Sequence, residues 1–196
     1  MSVVLVDAGG TNIGSVRYAL QRLGVEAALT SDVAAIRAAD KVILPGVGAA
    51  GPGMARLREL GLVEVLRSLR QPVLGVCLGM QLLCAHSEEG DTECLGLIPA
   101  PVRRFTEAPG LRVPHMGWNG LSIRRGHALL AGLGEGEQAY FVHSYAVPTG
   151  DWTLAACDYG GEFSSAIARG NFHGLQFHPE RSAAVGARLL RNFLEL

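Results

Sequence analysis

The chain has 196 residues, of which 48% are hydrophobic and 18% charged, with a formal net charge of -1 and a mean hydropathy of +0.24. These values fit one domain, residues 1–196, large enough to build a core without disulfides or a structural metal. They exclude a disordered chain, and a pI of about 6.6 argues against nucleic-acid or anionic-membrane partners, which require a basic face.

Residues 3–6, all apolar and bounded by Asp7 and Gly9-Gly10, read as a strand buried on both faces. The start MSVVLVD lacks the basic segment of a leader and meets Asp7 early, so a first strand and a cytoplasmic location are expected. Ile13, Val16, Leu20 and Leu23 then recur at helical spacing up to Gly24. The alternation continues with a strand at 25–29, a short helix at 33–38, a strand at 42–44 and a longer helix ending near Arg70, which Pro72 closes. A strand at 73–76 and a helix at 78–86 follow. Strands separated by helices imply right-handed crossovers and a parallel sheet covered on both faces.

The second half changes character. Segments at 102–105, 121–124, 139–147, 152–156 and 163–168 read as strands joined by hairpins and loops. A last strand at 174–177 precedes a C-terminal helix with Val185, Leu189 and Phe193 in one stripe. The expected fold is a single-domain α/β protein: a mainly parallel, doubly wound sheet with helices on both faces and extra antiparallel strands in the second half, both halves sharing one sheet. An uncharged stretch, residues 42–55, contains two prolines and four glycines and is shorter than the ~18 apolar residues of a membrane span.

Chemistry points first to Gly75-Val76-Cys77-Leu78-Gly79-Met80-Gln81 at a strand-to-helix junction. A nucleophile on so sharp a turn needs small flanking residues, and the Leu78 amide and the helix N-terminus can face developing negative charge. A buried structural cysteine beside two glycines is the plainer alternative. Cys84, Cys94 and Cys157 lack such an elbow and read as core, and the four cysteines show neither CxxC spacing nor a zinc-site pattern. A Cys nucleophile needs a base and an orienting group. Phe177-His178-Pro179-Glu180 supplies both, because residues two apart in an extended segment share a side, so Glu180 can reach the imidazole of His178.

The glycine-rich loop Pro45-Gly46-Val47-Gly48 invites a phosphate-binding reading, yet the Gly-Lys-Ser/Thr signature is missing and Lys41 is the only lysine. Backbone amides near Val47 and Gly48 can instead complete an oxyanion hole opposite Cys77, or the loop is simply a tight turn. His143-Ser144-Tyr145 is either a recognition loop or a plain turn. His86, His127 and His173 have no partner motif.

The elbow together with His178-Pro179-Glu180 resembles the triad-type (class I) glutamine amidotransferases. Pro114-His115-Met116-Gly117-Trp118-Asn119, Phe105 and Pro45-Gly46-Val47-Gly48 narrow the resemblance, over essentially the whole chain, to glutaminase subunits of imidazole glycerol phosphate synthase. Cys94 departs from that pattern, which has Gly there.

The resemblance implies that Cys77 attacks the side-chain amide of L-glutamine, His178 acts as acid and base, and Glu180 orients it. Val47, Gly48 and Leu78 would form the oxyanion hole, with the Val47 amide turning toward the site, and Gly48, Gln81, Ser144 and Tyr145 would hold the substrate. No cofactor or metal is implied. The implied partner is a (β/α)₈ cyclase subunit that forms a heterodimer with this chain and receives its ammonia, with Asn12, His115, Met116 and Trp118 at the interface. Competing readings are a glutaminase serving another synthase, a free-standing cysteine hydrolase on the same scaffold, and a binding module that kept the fold.

Overall fold

The computed structural model describes residues 1–9 and 13–196. In chain order the first half comprises β1 (Val3–Val6), α1 (Ile13–Arg22), β2 (Ala27–Thr30), α2 (Val33–Ala38), β3 (Lys41–Gly46), α3 (Ala50–Glu59), α4 (Val63–Ser68), β4 (Val73–Cys77) and α5 (Leu78–Leu83). The second half adds β5 (His86–Ser87), β6 (Thr92–Glu93), β7 (Pro101–Arg104), β8 (His115–Gly120), β9 (Ser122–Ile123), β10 (Gln138–His143), β11 (Tyr145–Ala146), β12 (Thr153–Asp158), β13 (Glu162–Arg169), β14 (Phe172–Leu175) and α6 (Ala183–Glu195). No helix among the described residues is long and apolar enough to cross a membrane.

The main sheet runs β2-β1-β3-β4-β14-β13-β12-β9. Its first five strands are parallel and its last three attach antiparallel, so the α/β architecture with added antiparallel strands is observed. Strand β1 sends the chain outward to β2 and then back to β3 on its other side, a reversal that opens a crevice at the carboxyl ends of the parallel strands. Gly46 and Cys77 are paired there, at the ends of β3 and β4.

Alternate residues of β1 feed two cores. Val3 and Leu5 face the layer of α1 and α6, with Val16, Leu20, Leu189 and Phe193; Val4 and Val6 face the layer of α2 to α5, with Ile36, Met54, Leu57, Leu66 and Met80. Burying a side chain of this size contributes roughly 1.5–3 kcal/mol, so both faces of the sheet are firmly held beneath the crevice.

Several boundaries differ from the sequence expectation. The helix expected to end near Arg70 is two helices, because Gly61 takes φ +67° and breaks the register between α3 and α4. Helix α5 stops at Leu83, and Cys84 is extended rather than a further helical residue. The run at 139–147 divides at Ser144 into β10 and β11. The two halves share the main sheet only in part, since β10 pairs with β8 and β11-β7-β5-β6 form a separate small sheet.

Candidate active site

Cys77 is the last residue of β4 and stands immediately before α5, with φ 53° and ψ -111°. A non-glycine residue in such a conformation costs about 1–3 kcal/mol and is held only by its surroundings. The flanking glycines show how it is held. A Cβ on Gly75 would lie 2.6 Å from the Gly79 carbonyl oxygen, and one on Gly79 would lie 1.8 Å from that of Leu44. The turn is therefore pressed against β3 too closely for any side chain.

Across the crevice, His178 follows β14 by two intervening residues and is extended, with φ -91° and ψ 101°. Its amide donates to the Tyr140 carbonyl at 2.9 Å. The Ser182 hydroxyl donates to the His178 carbonyl at 2.7 Å and accepts from the Tyr140 amide at 2.9 Å, tying the turn to β10. Glu180 lies in a 3-10 turn (Pro179–Arg181), not in an extended continuation, but its Oε1 still stands 2.9 Å from His178 Nδ1. Both side chains are buried.

With Nδ1 bound to Glu180, the ring presents Nε2 toward Cys77. Nε2 is buried, and the Cys77 thiol is near enough to favour charge on the ring. Burial opposes charge on His178, yet the pull of Cys77 and Glu180 prevails and raises the imidazole to about 10. The other cysteines are chemically quiet: burial pushes Cys84 far up, Cys94 to about 11 and Cys157 to about 12.

A cleft of about 420 Å³ joins these groups, and its lining contains Val47, Gly48, Cys77, Leu78, Gln81, Ser144, Tyr145 and His178. Every residue expected from sequence to bind or activate substrate thus borders one space, apart from Glu180, which sits behind His178. Gly48 has φ +101°, a conformation suited to glycine, beside the Val47 peptide. Gln81 spends both amide N–H bonds internally, donating to the Tyr145 carbonyl and to Gln176 Oε1, each at 2.9 Å. Its own carbonyl oxygen remains for a ligand.

Three lining or adjoining residues were not anticipated. Glu89 borders the cleft while its Oε2 accepts from the Ala50 amide at 2.8 Å, at the start of α3. Arg181 lies over the Tyr140 ring, 4.1 Å from its centroid. Gln176 is fully buried and aims Nε2 at Cys77 Sγ from 3.8 Å. In sequence Glu89 sits in a Ser-Glu-Glu-Gly turn that reads as solvated charge, and Gln176 carried only its nearness to His178 as a signal.

Of the expected interface residues, Met116 and Trp118 project outward from β8 and are 63% and 52% exposed. His115 does not join them. Strand alternation turns its ring inward, where it is 2% exposed. Asn12 lies outside the described residues.

Residues 4–196 match the glutamine amidotransferase class-I family. The chain is 62% identical to imidazole glycerol phosphate synthase subunit HisH of Xanthomonas axonopodis pv. citri (strain 306), over 99% of this chain and 97% of the relative. It is 60% identical to the protein of the same name from Xylella fastidiosa (strain Temecula1), with the same coverage. Among solved structures, a glutamine amidotransferase superposes with a TM-score of 0.76 at 24% identity, covering 100% of this chain and 98% of that one. PurLQS from Thermotoga maritima superposes with a TM-score of 0.73 at 19% identity, covering 99% and 97%. At such identities these two establish the fold alone, whereas the full-length sequence relatives establish more: the chain belongs to the class-I glutamine amidotransferases and, within them, to the HisH subunits of imidazole glycerol phosphate synthase.

Proposed function

We propose that this chain, residues 1–196 as one catalytic domain, is the glutaminase of an imidazole glycerol phosphate synthase in histidine biosynthesis, with Cys77, His178 and Glu180 as its triad. The observation that carries the reading is the convergence of Cys77 and the His178–Glu180 pair on one cleft, from strand ends nearly a hundred residues apart.

In this mechanism Cys77 gives its thiol proton to His178 Nε2 as its Sγ attacks the side-chain amide carbon of L-glutamine. The Leu78 amide and the Val47–Gly48 backbone receive the oxyanion, and His178 delivers a proton from Nε2 to the departing nitrogen, so ammonia leaves and a γ-glutamyl thioester remains. Water then gives a proton to His178 as it attacks the thioester, the Cys77–carbonyl bond breaks with return of that proton to Cys77 Sγ, and glutamate is released. Glu180 keeps the proton of Nδ1 in place and stabilises the imidazolium. Gly48, Gln81, Ser144 and Tyr145 hold the substrate, and the Gln81 carbonyl and the Glu89 carboxylate suit its ammonium group.

Ammonia released to bulk water becomes ammonium and loses its nucleophilicity. We therefore assign the product to direct transfer into a (β/α)₈ cyclase partner in a heterodimer, docked over Met116 and Trp118 beside the cleft. The test of the nucleophile is covalent. In complex with the cyclase subunit, a glutamine analogue bearing a diazo ketone in place of the amide should label Cys77, as located by mass spectrometry. Labelling confined to other residues would overturn the assignment.

A further inference from the structure

Behind the cleft wall a chain of polar groups runs inward from β8 through a shell of aromatic rings, and its polarity is set from both ends. At the inner end the Tyr145 carbonyl can only accept, so His143 Nδ1, 2.8 Å away, carries a proton. In a neutral ring Nε2 is then an acceptor, so His115 Nδ1, 3.0 Å from it, is the donor. His115 Nε2 is left to accept, and it faces Asn119 Nδ2 at 3.4 Å.

The outer end is anchored without reference to the histidines. Asn119 Oδ1 accepts from the Gly120 amide at 2.8 Å, and Nδ2 donates to the Asp158 carbonyl at 2.9 Å. The edge of Asn119 that reaches His115 is therefore a donor, which is the polarity required from the inner end. Both rings are buried, and His115 is stacked between Phe141 and Tyr159, with centroids 4.9 and 3.9 Å away. Burial lowers His115 to about 4 and His143 to about 3, which keeps the pair neutral.

The Tyr145 carbonyl is also the acceptor for Gln81 Nε2, and Gln81 passes a second hydrogen bond to Gln176, the amide that faces Cys77. We propose that His115 and His143 are positioning residues for glutamine: a neutral pair, locked with the proton on Nδ1 in each ring, that clamps the Tyr145 carbonyl and so holds the cleft wall and the Gln81 amide in register with the substrate. The proposal rests on reading the cleft as the glutamine site.

Two measurements test it. Ring ¹⁵N NMR of the full chain at pH 7 should show His115 and His143 both neutral with the proton on Nδ1. In the complex with the cyclase subunit, His115→Phe keeps the ring volume but withdraws the donor to His143. It should raise KM for glutamine about tenfold, as expected for one buried acceptor left unpaired, with kcat changed by less than about threefold. His115→Asn, whose Nδ2 stands near the former Nδ1, should recover most of that loss. A proton on Nε2 of either ring, or KM in His115→Phe within about twofold of the parent, would overturn the clamp. The NMR result decides it even where His115→Phe fails to fold. Absence of glutamine turnover in the unsubstituted complex would instead overturn the glutaminase reading, and the clamp's substrate role with it.

Discussion

The Cα of Gly79 sits so close to β3 that a methyl group there would come within 1.8 Å of the Leu44 carbonyl oxygen. The nucleophile turn is thus seated by backbone contact between the first turn of α5 and the neighbouring strand. The obstructing atom is backbone and cannot rotate away. Gly79→Ala is expected to destabilise the fold by about 3 kcal/mol, the upper end of ordinary overpacking costs. Gly126→Ala, with open space and no special φ, should be nearly neutral. Urea unfolding of the two variants measures the contrast, and equal midpoints would contradict it.

The 2.9 Å contact between His178 Nδ1 and Glu180 Oε1 predicts a kinetic split. Glu180→Gln keeps an acceptor near Nδ1 but removes the charge that favours imidazolium. Glutaminase kcat in the complex should fall by about 10²- to 10⁴-fold, while KM moves by only a few-fold. Steady-state kinetics with glutamate release as readout decides this; an unchanged kcat would remove Glu180 from the triad.

Buried histidines give the fold opposite pH limbs. Burial is the leading cause that lowers His115 to about 4, His143 to about 3 and His173 to about 4. As pH falls below about 6.5 the unfolded chain takes up these protons before the folded one, so stability present above 6.5 is lost on acidification, by up to about 1.4 kcal/mol per pH unit for each ring. His178 has the reverse sign. Raised to about 10 against the opposing effect of its burial, it contributes stability that is complete below about 6.5 and is lost as pH rises through 10. Urea midpoints should therefore peak near pH 6.5–7, and a midpoint flat from pH 7 to 5 would contradict the neutral buried rings.

Much of this site was legible because its chemistry is local. A Cys between two glycines after an apolar run announces a tight turn, and His-Pro-Glu places a base and its orienting group within one short segment; the parallel topology then brings the two to one sheet edge. What was not legible depends on long-range packing. Strand β8 inverts the usual pattern, since its large apolar residues Met116 and Trp118 face outward and the polar His115 faces the core. Gly61 divides α3 from α4 by a left-handed backbone state that apolar periodicity does not register. Glu89 and Gln176 acquire their roles only because β5 to β6 and β14 bring them to the cleft.

The outward pair on β8 makes its own prediction. Large exposed apolar side chains beside a cleft mouth are typical binding anchors, and truncating such an anchor costs about 2 kcal/mol or more. Trp118→Ala should weaken binding to the cyclase subunit by at least about 30-fold, measured by calorimetry, with the thermal stability of the free chain unchanged. Undiminished affinity would move the docking surface elsewhere.

The most direct test of the account is Cys77→Ala in the assembled complex, with imidazole glycerol phosphate synthesis followed under two nitrogen sources. Glutamine-dependent synthesis should fall by about 10³-fold or more, while synthesis from added ammonium salt continues at the parental rate, because only the ammonia-generating half has been disabled. Glutamine-dependent synthesis retained by Cys77→Ala would show that the nucleophile, and with it the site described above, has been misassigned.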